Sequence, residues 1–105
     1  MKKIEIQVRP EKGRDVCEAL HNMGLYGIAL NESRFIDNNV ESDVEKLDGK
    51  IFIPPKVELV ITVPSSLVEP IIFTVLSAAR TGTPSNGKII VSSIEKVIDV
   101  EDEEI

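Results

Sequence analysis

Two short segments place apolar residues at every second position, and each leads into a stripe of apolar residues at helical spacing. From Lys2 to Arg9, Ile4, Ile6 and Val8 fall on one side and Lys3, Glu5 and Gln7 on the other. From Lys56 to Val63, Val57, Leu59, Ile61 and Val63 share a side. A period of two belongs to a half-buried strand, because successive side chains point to opposite faces. Pro10 and Pro64 close the two strands, since proline donates no ladder hydrogen bond. After Gly13, the residues Val16, Ala19, Leu20 and Met23 form a helical stripe, and Gly24 stands where a left-handed C-terminal cap belongs. Ser66 and Glu69 have capping-box spacing ahead of Val68, Ile71, Ile72, Val75, Leu76 and Ala79. Pro70 falls in the first turn of that second helix, where it is tolerated.

Between these units, Gly27-Ile28-Ala29-Leu30 restarts an extended pattern, and a long loop runs from about Phe35 to Phe52. The closing stretch, Lys88 to Val100, reads as one or two short strands, and residues 101–105 form an acidic tail. The order strand, helix, strand, strand, helix, strand is the split βαβ arrangement. It predicts an α+β, ferredoxin-like βαββαβ fold, with an antiparallel sheet carrying both helices on one face. One domain, residues 1–105, accounts for the whole chain. The opposite sheet face also carries apolar residues such as Val60, which points to burial against another subunit.

Composition removes several function classes. The chain holds 12 basic and 18 acidic residues, a net charge of −6, so it lacks the clustered cations that a nucleic-acid binder uses against phosphates. Its single cysteine, Cys17, cannot form an intrachain disulfide and fits a reducing compartment. Met1-Lys2-Lys3 leads into alternation rather than an apolar run, so no signal peptide or membrane insertion is expected and a cytoplasmic location is the default. His21 is the only histidine, which excludes a multi-histidine metal site within one chain. It is expected at the surface of the first helix, with Cys17 a small apolar residue and no general base beside it. Asp37, Asn39 and Glu41 have calcium-loop spacing, but Ser42 stands where glycine is needed and Asp48 where a bidentate Glu belongs, so no metal is expected.

Chemistry concentrates in Thr81-Gly82-Thr83-Pro84-Ser85-Asn86-Gly87-Lys88. Gly82 to Lys88 has the G-x-x-x-x-G-K spacing of a phosphate loop. Ile89 follows instead of Ser or Thr, however, and the segment joins helix to strand rather than strand to helix. It is therefore not a Walker motif. Two readings stand: an anion nest of backbone N–H groups assisted by Lys88, or turn chemistry alone.

The same segment resembles the nucleotide-cradling loop of the PII nitrogen-regulatory signalling proteins, through Ala78-Ala79-Arg80-Thr81-Gly82 and Asn86-Gly87-Lys88-Ile89. Met1-Lys2-Lys3-Ile4-Glu5 and Arg9-Pro10 look like that family's first strand, and Pro55-Lys56-Val57 with Val63-Pro64 like its third. Gly24, Gly27 and Glu32 fall in the family's order and spacing. The resemblance implies a homotrimer, acting by binding and not as an enzyme, with adenine-nucleotide sites (ADP, AMP or ATP) in clefts between subunits. The phosphate loop of one subunit would face the C-terminal segment of its neighbour. Gly27, Ile28, Ala29 and Thr62 would surround the base, and Thr81, Gly82, Ser85, Asn86, Gly87 and Lys88 would lie near phosphate. A protein partner would be an ammonium transporter or a nitrogen-metabolism enzyme.

The chain also departs from the family. Where relatives carry two C-terminal phosphate-clamping arginines, it has Asp99 and Glu101, and Ser85 replaces a loop glycine. Two like charges placed near phosphate disfavour ATP in the usual pose. The long loop has neither the tyrosine that could be uridylylated nor the glutamine that serves 2-oxoglutarate. It is acidic, with Asp37, Glu41, Asp43 and Glu45, which reads as a solvated tip or as a docking surface for a basic partner. Two functions compete: a nucleotide-sensing regulator with altered specificity, and a trimeric adaptor that works without ligand. A third, an acylphosphatase-like hydrolase, would need an arginine in a glycine-rich cradle, and Arg9 precedes Pro10 instead.

Overall fold

The inward residues of the first alternating segment, Ile4, Ile6 and Val8, are almost completely buried on strand β1 (Lys2–Val8) at the centre of the molecule. The computed structural model describes residues 1–34, 45–47, 50–52, 55–80 and 87–101. β1 is followed by helix α1 (Pro10–Asn22), β2 (Ala29–Arg34), the short strands β3 (Glu45–Leu47) and β4 (Lys50–Phe52), and β5 (Pro55–Val63). A 3-10 turn (Ser65–Leu67), α2 (Val68–Ala79) and β6 (Gly87–Ser93) complete the described elements.

The main sheet has the order β2-β5-β1-β6 and is antiparallel throughout. This is the α+β, ferredoxin-like arrangement expected from the pattern. Ile4 lies opposite Ile61 and Val91, and Ile6 opposite Leu59 and Ile89, so each apolar rank continues across the sheet. Val16 and Leu20 of α1 and Ile71 and Val75 of α2 close over that face and are buried with it. Each such side chain contributes about 1.5–3 kcal/mol of transfer free energy. Helix α1 approaches the sheet at Gly13, where an added Cβ would come within 3.2 Å of Val57 Cγ1.

Helix α1 ends in a Schellman motif. Gly24, at φ +88°, donates its N–H to His21 O at 2.8 Å, and Leu25 N–H donates to Leu20 O at 3.1 Å. That was legible from Gly24 alone. Its start differs, because Pro10 opens the helix rather than merely ending the strand; proline's fixed φ suits the first helical turn. The capping box at Ser66 and Glu69 does not form. Ser66 sits inside the 3-10 turn, Leu67 becomes the N-cap of α2, and it has no side-chain cap bond. Within the expected long loop, β3 and β4 pair as a separate two-stranded ladder, Glu45 opposite Phe52. The closing stretch yields one strand, β6, and residues 94–101 lie outside any strand. Among the described residues, no helix is long and apolar enough to cross a membrane.

Candidate functional site

The register of the sheet decides where the expected site residues fall. On β5, Leu59, Ile61 and Val63 point to the helices, so Val60 and Thr62 point to the face that neither described helix covers, hereafter the uncovered face. Ala29 lies opposite Val60, and Lys88 lies opposite Gln7, both on that uncovered face. Thr62, Ala29 and Lys88 are all exposed. Gly27 is exposed just before β2, where Ile28 N–H turns back onto Tyr26 O at 2.9 Å. The Ile28 side chain is half-buried and packs against the apolar core.

The two groups of residues sit at different corners. Thr62 is level with Lys3 at one end of β1, whereas Gly87 is level with Val8 at the other. Lys88, level with Gln7, is four residues and two strand spacings from Thr62, which is about 14 Å along and about 10 Å across. Ala29 lies three strand spacings from Lys88, about 14 Å across. One chain therefore holds Thr62 and Ala29 well apart from Lys88 across this face. Thr81, Gly82, Ser85 and Asn86 lie outside the described residues, as do Asp37, Glu41 and Asp43 of the acidic segment. Glu45 opens β3.

At the start of β6, Gly87 is required by geometry. Its φ is +145°, and a Cβ there would collide with the backbone carbonyl of Gln7. The glycine lets β6 enter the sheet hard against β1 and delivers Lys88 to the uncovered face. Gly27 differs: its φ is not positive and a Cβ would meet nothing within 4 Å.

Polar pairs line the uncovered face between the corners. Lys3 Nζ lies 2.8 Å from Glu5 Oε1, and Gln7 Nε2 donates to Glu58 Oε2 at 3.4 Å. The hydrogen bond and charge of Glu5 hold the Lys3 ammonium above the usual lysine pKa; desolvation opposes this in part, and the charge of Glu58 adds a smaller push upward. In the C-terminal segment, Asp99 Oδ1 accepts the backbone N–H of Glu101 at 3.0 Å, and both residues are exposed. No cluster of three His, Cys, Asp or Glu capable of holding a metal occurs among the described residues.

One pair escaped sequence reasoning. His21 is half-buried, and its Nε2 lies 3.7 Å from Cys17 Sγ, with the Tyr26 ring tilted against its own at a centroid distance of 5.2 Å. The expectation of a surface histidine, and of no base beside Cys17, is corrected. The signal was the i, i+4 spacing, which brings two side chains together on one helix face. Neither residue lies on the sheet face that carries Thr62, Ala29 and Lys88.

A family model described as nitrogen regulatory protein P-II matches residues 1–104. The chain is 39% identical over 101 residues to the nitrogen regulatory protein P-II of Bradyrhizobium diazoefficiens and 36% identical to that of Azospirillum brasilense. It is 33% identical to nitrogen regulatory protein P-II 1 of Escherichia coli strain K12. Each match covers 93% of this chain and 89% of the relative.

Proposed function

Because the chain belongs to the nitrogen regulatory protein P-II family, a family of signal-transduction regulators, we propose that it binds an adenine nucleotide between subunits of a homotrimer and thereby regulates a partner transporter or metabolic enzyme. The observation that carries this reading is the division of the expected site. Thr62, Ala29 and Lys88 share the uncovered face, yet the base-side and phosphate-side residues occupy different corners of one chain. A second copy packed on that face supplies the missing corner. The exposed Ile90 and half-buried Val60 on the same face, on either side of Glu5, give such packing an apolar centre.

Asp99 and Glu101 set the specificity. They add negative charge where the family resemblance expects positive charge, so ADP or AMP binds more readily than ATP. Calorimetric titration of the purified protein with ATP, ADP and AMP tests this. Saturable binding near one nucleotide per subunit, weakest for ATP, is expected. A folded trimer giving no heat with any nucleotide would overturn it.

A second reading, a ligand-independent trimeric adaptor, is favoured by the same two carboxylates together with the acidic Asp37, Glu41, Asp43 and Glu45. Partner binding that is identical with and without nucleotide distinguishes it.

A further inference from the structure

Helix α1 carries two donor atoms that the sheet faces do not use. Cys17 and His21 are about one helical turn apart, and Cys17 Sγ lies 3.7 Å from His21 Nε2. Both side chains are half-buried, Cys17 against the apolar core and His21 beside Tyr26. Tyr26 itself is 73% exposed, so the pair stands at the rim of the core, where an ion from solvent can reach it.

The backbone holds the donors in place. Gly24 N–H donates to His21 O at 2.8 Å, which fixes the histidine in the closing turn of the helix. Ile28 N–H donates to Tyr26 O at 2.9 Å, which fixes the turn that carries the ring. Cys17 is anchored by its packing on the core. Donors mounted on a rigid element lose little freedom when a ligand binds.

The spacing of the two atoms is that of a metal chelate. Zinc binds a cysteine sulfur at about 2.3 Å and an imidazole nitrogen at about 2.0–2.1 Å. At those lengths the separation of 3.7 Å subtends about 116° at the ion, close to the tetrahedral angle of about 109°. Two histidines at the same i, i+4 spacing hold zinc on a helix. A thiolate in place of one imidazole favours softer ions and disfavours magnesium and calcium, which take oxygen ligands. Arg14, three residues before Cys17, would oppose a cation, but its Nε is paired with Glu18 Oε1 at 3.0 Å, which balances its charge. Among the described residues no third His, Cys, Asp or Glu completes the set, so two positions on the ion are left to water.

We infer that Cys17 and His21 form a two-residue site for a divalent transition-metal ion of the zinc class, on the helix side of the sheet and apart from the nucleotide-binding face proposed above. As the sulfur–metal bond forms, the thiol proton leaves to solvent, and Nε2 gives its lone pair to the ion while Nδ1 carries the ring N–H. The site depends neither on nucleotide binding nor on assembly.

The test is titration of the reduced, full chain with Co²⁺, whose thiolate complexes absorb in the near ultraviolet. The chain has one cysteine, so a sulfur-to-cobalt charge-transfer band reports Cys17 alone. A saturable band near one cobalt per chain is expected, removed by Zn²⁺ and unchanged by excess Mg²⁺. Cys17→Ser should abolish the band. His21→Gln should weaken cobalt binding by about tenfold or more, at least the loss seen when an outer partner of a metal ligand is removed. Circular dichroism checks that both variants fold, and His21→Gln carries the test if Cys17→Ser does not. No band from the folded protein would overturn the inference and leave the pair as a thiol–imidazole hydrogen bond. Equal cobalt affinity in His21→Gln would also overturn it, because the ion would then sit on the thiol alone. Nucleotide titration of the same preparations in magnesium succeeds or fails separately.

Discussion

Replacing Gly87 by alanine places a methyl group where the backbone carbonyl of Gln7 already lies, at a φ of +145° that side chains rarely adopt. The backbone conformation alone costs about 1–3 kcal/mol for a residue with a Cβ. Relief of the collision requires β6 to move off β1 at the Val8–Gly87 pair, an overpacking strain of about 1–3 kcal/mol more. The sum, about 2–6 kcal/mol, is a large part of the 5–15 kcal/mol by which a typical domain is stable, a scale set by opposing large terms. Urea unfolding followed by circular dichroism, at matched protein concentration because assembly contributes to stability, should show a lower midpoint with unchanged slope. In a thermal scan the shift is about 4 °C or more per kcal/mol for a chain of this size. Gly24→Ala is the internal control. Gly24 also has a positive φ, +88°, but nothing lies within 4 Å of its Cβ position, so only the conformational cost of about 1–2 kcal/mol applies. If Gly87→Ala costs no more than Gly24→Ala, the close approach of β6 to β1 is not what selects glycine there.

Gly27→Ala should leave stability within about 0.5 kcal/mol, as at other unconstrained surface positions, yet weaken nucleotide binding; unchanged affinity by calorimetry would remove Gly27 from the site. Lys88→Ala should weaken binding of phosphate-bearing ligands while leaving that of adenosine unchanged. Ile71→Ala deletes a fully buried side chain beneath α2 and should cost about 2–5 kcal/mol in urea unfolding. The raised pKa of Lys3 means that its pairing with Glu5 is fully present below the unfolded lysine value and is lost as pH rises through the higher folded value. Urea midpoints should therefore decline less between about pH 9 and 11 for Lys3→Gln than for the parent, a range spanning the usual lysine pKa. Identical declines would contradict the assignment.

Much of this fold was legible because its two central strands place apolar residues at every second position. Ile4, Ile6 and Val8 and Leu59, Ile61 and Val63 have no choice of face once the core exists, and their register follows. Helix α1 was legible from Val16, Leu20 and Gly24, but its first turn was not, since Pro10 serves equally to end a strand or to begin a helix. The end of β6 could not be read from composition. Ile94, Val97, Ile98 and Val100 continue its apolar character, but the pairing with β1 stops at Lys2 opposite Ser93, and Ile94 N–H makes one further bond, to Met1 O at 3.2 Å. The Ser66 capping pattern failed because a 3-10 turn intervened, a choice made by local backbone geometry. For the site, Lys88 and Thr62 were legible as residue types, whereas their separation across the sheet depends on strand order and register, which no local motif encodes.

That separation has a consequence for mixed populations. A chain damaged only at Thr62 keeps a sound Lys88 corner, and a chain damaged only at Lys88 keeps a sound Thr62 corner. Each alone should bind phosphate-bearing ligands weakly. Co-expressed and co-assembled, the two should complement one another wherever an undamaged corner of one meets an undamaged corner of the other, so that two weak-binding chains together recover part of what each has lost.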